Sequence, residues 1–168
     1  YAFKASGFWI EQRESNLLDG AAHFYDTYEC ADQKFLAVGS IEPQFYSVLL
    51  EKLEISDLKF QDQHNKELWP ELKAIMRERI KEKTRDEWAD IFDGSDACVA
   101  PVLNLSEAPE HHHMKARNSF VEVDGVIQPA PAPRFSETST HIKHSSVKAG
   151  ENNDEICAKY NLDRSCFS

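Results

Sequence analysis

Two segments rich in β-forming residues lie on either side of a region with helical patterns. Residues 23–39 read HFYDTYECADQKFLAVG, in which polar ADQK separates two runs of aromatic and aliphatic residues. This pattern predicts a β-hairpin. Gln33 stands where a turn often has glycine, so the turn type stays open. A second hairpin is predicted at residues 119–128, SFVEVDGVIQ, because its Asp124-Gly125 pair favours a tight turn.

Apolar residues recur at helical spacing between the two hairpins. The first helix is predicted from Pro43 to about Leu53, with Glu42 as its N-cap. Another begins at Thr84, where Glu87 completes a capping box. Between them, the segment PELKAIMRERIKEKT carries an apolar stripe formed by Leu72, Ile75, Met76 and Ile80. A strand, ACVAPVL, and a short helix from about Ser106 follow.

The order of these patterns predicts an α+β fold with antiparallel hairpins and packed helices. Residues 20–128 form the predicted small domain, and residues 1–19 form an N-terminal arm left from a linker helix. Residues 129–168 form a proline-rich strap and a tail that ends in a short helix. The first residues have neither a start Met nor the layout of a signal peptide. We therefore expect the arms to belong to a larger structure.

The composition and net charge of the chain disfavour some classes of binding partner. The chain has 19 Lys and Arg residues against 29 Asp and Glu residues, a formal net charge of −10. Nucleic acids and anionic membrane surfaces are therefore poor partners. No apolar run is long enough to span a membrane, so membrane insertion is not expected. The four cysteines lack metal or disulfide spacing and predict reduced thiols in an intracellular protein, with Cys98 buried and inert in its apolar run.

Two motifs that could suggest a metal site or an acid/base pair have simpler interpretations. HHHM at residues 111–114 cannot direct consecutive imidazoles at one ion from a regular element, so no metal is predicted. Asp93 and Asp96 are expected to end a helix and cap the next turn rather than to act as an acid/base pair. No glycine-rich phosphate loop is present. We expect no cofactor.

Two long stretches carry a resemblance to a known family. NLLDGAAHFYDTYECADQKFLAVGSIEPQFY at residues 16–46 and TRDEWADIFDGSDACVAPVL at 84–103 resemble the α-methylacyl-CoA racemase branch of the family III CoA-transferases. QPAPAPRFS and AGENNDEI follow in the family's order. Members are about twice as long, and no stretch here matches the half that carries their catalytic His and Asp. The resemblance therefore implies the C-terminal half, with the family's small α+β domain.

The resemblance also implies roles for individual residues. Glu42 matches the glutamate that supports the catalytic His of racemases, although it could also be a plain helix cap. Tyr25, Asp19 and Ile41 are the candidate substrate-binding residues. Tyr25 would line the acyl-CoA site or pack as an aromatic on the hairpin. Asp19 would shape the entry turn or be merely solvated.

Three positions depart from the family pattern. Ala21 replaces a glycine and His23 a proline, both near the implied acyl site, which leaves substrate preference open. Gln33 replaces the glycine of the turn and is expected to change only that turn.

The activity implied is epimerisation of 2-methyl-branched acyl-CoA thioesters by 1,1-proton transfer, in an interlocked homodimer of the full-length protein. Two alternatives remain: a CoA-transferase of the same family, and a non-catalytic module that only binds a partner subunit. The compartment, whether peroxisome, mitochondrion or cytoplasm, is left open.

Overall fold

The computed structural model describes residues 1–167, which form two compact units, Tyr1–Val102 and the remainder from Leu103 onward. The division falls inside region 20–128, whose extent as a functional domain stays a prediction. The first unit consists of α1 (Ala2–Ala5), β1 (Tyr25–Glu29), β2 (Phe35–Gly39), α2 (Pro43–Lys52), a 3₁₀ turn (Leu58–Gln61), α3 (Trp69–Ile80), α4 (Arg85–Phe92) and β3 (Val99–Pro101).

The strands form an antiparallel sheet in the order β1-β2-β3, which confirms the first predicted hairpin. Tyr25 lies opposite Gly39, and Ala37 lies between its partners Thr27 on β1 and Ala100 on β3. Gln33 closes the hairpin with φ of 63°, in the left-handed region that glycine occupies more easily. The turn therefore keeps the geometry of a glycine turn although it lacks the glycine.

Helices α2, α3 and α4 cover one face of this sheet and supply most of its core. The predicted stripe of α3 is confirmed, since Leu72, Met76 and Ile80 are fully buried and Ile75 is half-buried. Trp88 of α4 is also fully buried, and its indole N–H donates to the Ile80 carbonyl at 2.7 Å. The core is thus an aliphatic and aromatic layer between helices and sheet.

The start of α4 shows the predicted capping box. The Thr84 hydroxyl accepts from the Glu87 backbone N–H, and the Glu87 carboxylate accepts from the Thr84 backbone N–H at 2.8 Å. These bonds satisfy amides that have no partner within the helix. The prediction is confirmed because both members of the box lie within one helical turn.

A buried ion pair links α3 to β1, and the sequence patterns did not reveal it. Lys73 is 7% exposed, and its ammonium lies 2.5 Å from an Asp26 carboxylate oxygen. The same ammonium donates to the Gly20 carbonyl. Lys73 therefore fixes the approach of the chain to β1 at the point where the sheet begins.

The second unit is built around the second predicted hairpin. Asp124 and Gly125 both have positive φ, of 52° and 78°, as a type I′ turn requires. The helix expected from about Ser106 is instead a 3₁₀ turn followed by a short α-helix. The elements are a 3₁₀ turn (Ala108–Glu110), α5 (His112–Ala116), β4 (Phe120–Val123), β5 (Val126–Pro129), α6 (Asn153–Tyr160) and a last 3₁₀ turn (Arg164–Phe167).

These elements confirm the predicted α+β class. Helix α6 lies where the sequence placed a C-terminal helix. Within residues 1–167, no helix combines the length and apolar character needed to cross a membrane.

Candidate functional site

Glu42 occupies the junction between β2 and α2. It is the N-cap residue of α2, with an extended backbone and Pro43 as the first helical residue, as predicted. Its backbone carbonyl accepts from the Tyr46 amide at 2.9 Å, but its side chain makes no capping hydrogen bond. The side chain is exposed. The carboxylate is therefore not used by its own helix and is open to a partner.

The segment that leads to Glu42 is held on the side of β3. The Gly39 amide donates to the Cys98 carbonyl at 2.9 Å, and the buried Ser40 hydroxyl donates to the Ala97 carbonyl at 2.5 Å. The Ser40 amide also donates to the Phe24 carbonyl at 3.0 Å. These bonds replace the sheet pairing that ends at Gly39, so the path of the chain into α2 is defined by neighbouring strands and loops.

A groove of about 470 Å³ lies on the sheet face away from the helices. Its floor consists of small residues, Ala37 and Gly39 of β2 and Ala100 of β3, which lies opposite Ala37. The Tyr25 ring stands over Gly39, 3.7 Å from where a Cβ would lie. The groove is mostly apolar, with Asp19 at its rim. Such a surface suits an aliphatic or aromatic group more than a phosphate.

Asp19 shapes the turn that precedes β1. Its carboxylate accepts hydrogen bonds from the backbone amides of Ser15, Asn16 and Ala21 and from the Asn16 side chain. Burial acts to raise the pKa of Asp19, but these hydrogen bonds outweigh it and hold the pKa below its ordinary value. Asp19 is thus an ionised loop anchor at the edge of the groove.

The structure brings some of the predicted residues together and separates others. Tyr25 and Asp19 both line the groove. Glu42 is not among the residues that line the groove. It follows the lining residue Gly39 by three positions, and its charge acts on Cys98, which also lines the groove. Ile41 is half-buried and packs against the core instead. Substrate contact by any of these residues stays a prediction.

Cys98 is exposed, so its predicted burial is wrong. The strand in the apolar run is only Val99–Pro101, and Cys98 precedes it with φ of 53°. Desolvation, the Glu42 charge and the Asp96 charge together raise the pKa of the Cys98 thiol. The thiol is therefore accessible but protonated at neutral pH, which agrees with the prediction that it is not a low-pKa nucleophile.

His23 lies in the core rather than on the groove. It is fully buried, and its Nε2 lies 2.7 Å from the Tyr46 hydroxyl oxygen. Its ring meets the rings of Phe24, Tyr46 and Phe60 edge-on. Burial and the nearby His64 lower the pKa of His23 to about 4. A polar residue inside the short run AAHFY was the one sequence signal for this buried hydrogen bond.

The histidine run in the second unit serves a local structural role. The His111 ring nitrogen caps α5 by accepting from the His113 amide at 3.3 Å, and its ring stacks on His112. Across the described part of the chain, no group of three or more His, Cys, Asp or Glu side chains is arranged to hold a metal ion.

Comparison with known proteins agrees with the motifs. Residues 5–153 match the family model of CoA-transferase family III. The chain is 41% identical over 161 residues to the alpha-methylacyl-CoA racemase of Mus musculus, which covers 94% of this chain and 42% of that protein. Identity to the Homo sapiens racemase is 40% over 159 residues, which covers 93% and 41%. The chain thus spans about two fifths of these relatives.

Solved structures share the fold. A CAIB/BAIF family protein from Brucella suis superposes with a TM-score of 0.64 at 21% identity, over 94% of this chain and 42% of that one. A Mycobacterium tuberculosis protein superposes with a TM-score of 0.62 at 16% identity, over 80% and 38%. At these identities the likeness concerns the fold alone.

Proposed function

This chain belongs to CoA-transferase family III, and from that premise we propose that it is the C-terminal portion of an α-methylacyl-CoA racemase-like isomerase. The reaction is epimerisation of 2-methyl-branched acyl-CoA thioesters by 1,1-proton transfer, within lipid metabolism. The observation that carries the proposal is Glu42, whose uncapped, exposed carboxylate stands at the head of α2 in the motif GSIEPQFY.

The chemistry requires two acid/base groups, one on each face of the α-carbon. One removes the α-proton, and the other returns a proton to the opposite face of the enolate. The family's catalytic His and Asp match no stretch of this chain, so Glu42 is not proposed as the base. We propose instead that it acts as a carboxylate held at the N-terminus of α2. Such a group orients an imidazole in one tautomer and stabilises its cation.

The groove beside Glu42 supplies a wall for the acyl part of the substrate. Its small floor residues and the Tyr25 ring offer apolar contact, and Asp19 keeps the rim in place. The net charge of −10 disfavours the CoA diphosphate on this chain. We therefore propose that the nucleotide end binds to the family's large domain. We also propose the interlocked homodimer for the full-length protein.

An intracellular location is part of the proposal, with the compartment left open. Cys30, Cys98 and Cys157 are all free thiols, which is typical of a reducing environment.

The experiment is α-proton exchange in heavy water, followed by NMR. The protein is a chimaera in which this chain replaces the matched region of the mouse racemase, with a single epimer of a 2-methylacyl-CoA as substrate. We expect deuterium at the α-carbon and appearance of the other epimer. Glu42→Gln should lower the exchange rate by roughly 10–100-fold, as loss of a supporting partner does. Glu51→Gln, on the exposed side of the same helix, is the matched control.

Four results would contradict the proposal. Exchange by the 168-residue chain alone would mean that its own residues supply a base. Full activity of the Glu42→Gln chimaera would show that Glu42 does not support the catalytic His. Transfer of CoA to a free acid, with no exchange at the α-carbon, would favour the second candidate, a CoA-transferase, which the family description itself supports. A chimaera that folds and dimerises but catalyses neither reaction would favour the partner-binding module.

A further inference from the structure

We propose that Gln63 is the positioning residue for Glu42. Gln63 belongs to the loop before α3, 21 residues after Glu42 in the sequence, yet its side chain reaches the backbone next to Glu42. The importance of this position for catalysis rests on the proposed function. The contact itself is a property of this chain.

The Gln63 side chain binds two successive carbonyls of the junction. Its amide nitrogen, Nε2, donates to the Ser40 carbonyl at 3.1 Å and to the Ile41 carbonyl at 3.0 Å. Both peptide units lie after the end of β2 and before the start of α2. Carbonyls in such a position need another donor when they are not solvated. Gln63 supplies that donor to both.

The chemistry of this contact favours an amide. Only the NH2 end of the side chain has two hydrogens to share between two acceptors. A carboxylate in the same place would face both carbonyls with negative oxygens. A methionine has a similar length but no donor, so it would leave both carbonyls without this partner.

Gln63 is itself held in place. Its side chain is buried, with 7% of the residue exposed, and its backbone carbonyl accepts from the indole N–H of Trp69 at 2.8 Å. Trp69 is the first residue of α3 and is 4% exposed. A continuous set of contacts therefore runs from α3 through Gln63 to the residue before Glu42. On the other side, Ser40 is bound to Ala97.

The expected consequence is a fixed position for the Glu42 carboxylate. A supporting carboxylate must lie within hydrogen-bonding distance of its partner, and a displacement of about 1 Å can lower a rate by roughly 100-fold. Glu42 lacks a capping bond of its own. The Glu42 backbone is held on the helix side by the Tyr46 amide, and on the other side by the Ser40–Ile41 segment that Gln63 binds.

The first test measures how rigidly the backbone of Ile41 and Glu42 is held in the 168-residue chain, independently of catalysis. Backbone ¹⁵N relaxation gives the order parameters of Ile41 and Glu42. We expect rigid values near 0.85 in the unchanged chain and a fall toward 0.6 in Gln63→Met. Trp88→Phe is the matched control, because it removes another buried donor to a carbonyl, that of Ile80. It should lower stability without mobilising this junction. Unchanged order parameters in Gln63→Met would overturn the proposal.

The second test uses the racemase chimaera and a double-mutant cycle. Gln63→Met should lower kcat for α-proton exchange at least tenfold with little change in KM. In the Glu42→Gln background the same substitution should have no further effect on kcat, because Gln63 acts through Glu42. An equal loss in both backgrounds would show a general structural role and overturn the proposal.

The two proposals fail in different ways. If Glu42→Gln retains full activity, the proposed function fails, whatever Gln63 does. If Glu42→Gln loses activity but Gln63→Met and Gln63→Glu both keep full kcat, only the positioning role fails. Should Gln63→Met not fold, Gln63→Asn keeps the amide but is one methylene shorter. It should show the same loss of order and of kcat, and a fully active Gln63→Asn would overturn the proposal.

Discussion

His23 and Tyr46 form a hydrogen bond inside the aromatic core, with 2.7 Å between the imidazole Nε2 and the phenol oxygen. The other ring nitrogen, Nδ1, is buried and has no hydrogen-bond partner among residues 1–167. Tyr46 also donates its amide to the Glu42 carbonyl, so this pair ties the segment just before β1 to the first turn of α2. A charged imidazole here would have little solvation, which explains its low pKa.

The buried His23 predicts that the free energy of unfolding of the chain falls in acid. The pKa of His23 is about 4 in the folded chain against 6.5 for the free group, so the unfolded chain binds the proton more readily between these values. Stability should be complete above pH 6.5 and fall as the pH drops toward 4. The loss is on the order of 3 kcal/mol. Urea unfolding at pH 7, 6 and 5 should record about 2 kcal/mol of this loss.

Two variants isolate the contribution of His23. His23→Phe should flatten the slope between pH 6.5 and 5, where carboxylates with ordinary pKa values still contribute little. His141→Phe changes an exposed histidine and should keep the slope of the unchanged chain. A slope that persists in His23→Phe would assign the effect to another group.

Gln33 predicts a stabilising substitution. Its φ of 63° is unfavourable for a residue with a Cβ, by roughly 1–2 kcal/mol. Gln33→Gly should remove that strain but add freedom to the unfolded chain, for a net gain of about 0.5–1 kcal/mol. Gln33→Ala keeps the strain and should give no gain. Thermal unfolding of the three chains compares them, and equal midpoints for Gly and Ala would contradict the explanation.

The Lys73–Asp26 ion pair predicts a large loss in the free energy of unfolding when one partner is removed. Lys73→Met would leave the Asp26 carboxylate and the Gly20 carbonyl without the ammonium. We expect a loss of about 3 kcal/mol, at the lower end for buried pairs because Asp26 keeps some contact with water. Combining Lys73→Met with Asp26→Asn should recover part of it. Urea unfolding is the measurement, and a loss below 1 kcal/mol for Lys73→Met would show that the pair is solvated.

The alkylation rate of the Cys98 thiol should report whether the Glu42 carboxylate lies close to it. The Glu42 charge contributes to the raised pKa of Cys98, so Glu42→Gln should increase the thiolate fraction. Alkylation of Cys98 by iodoacetamide at pH 7.5 should become roughly 2–5-fold faster, as expected for one nearby charge in a solvated setting. Glu51→Gln should leave the rate unchanged. Peptide mass spectrometry assigns the rate to Cys98. Equal rates in both variants would show that the Glu42 charge does not act on the Cys98 thiol.

The sequence by itself determined the local elements. The Thr84 capping box, the Asp124-Gly125 turn and the start of α2 at Pro43 involve groups within a few residues of each other, so short patterns suffice to predict them. The helical spacing after Pro43 placed Glu42 correctly at the head of that helix, and the family motifs added it as the candidate functional group.

Tertiary structure decided which backbone carbonyls the buried polar side chains bind across long separations. Lys73 and Gly20 are 53 residues apart, and Gln63 and Ile41 are 22 apart. No local periodicity predicts such a pair, because a buried polar group finds its partner only when the elements have packed. The same reason explains Cys98, whose exposure depends on where the short strand β3 begins. The chain's patterns specify its helices and strands, whereas packing specifies how the junction before Glu42 is held.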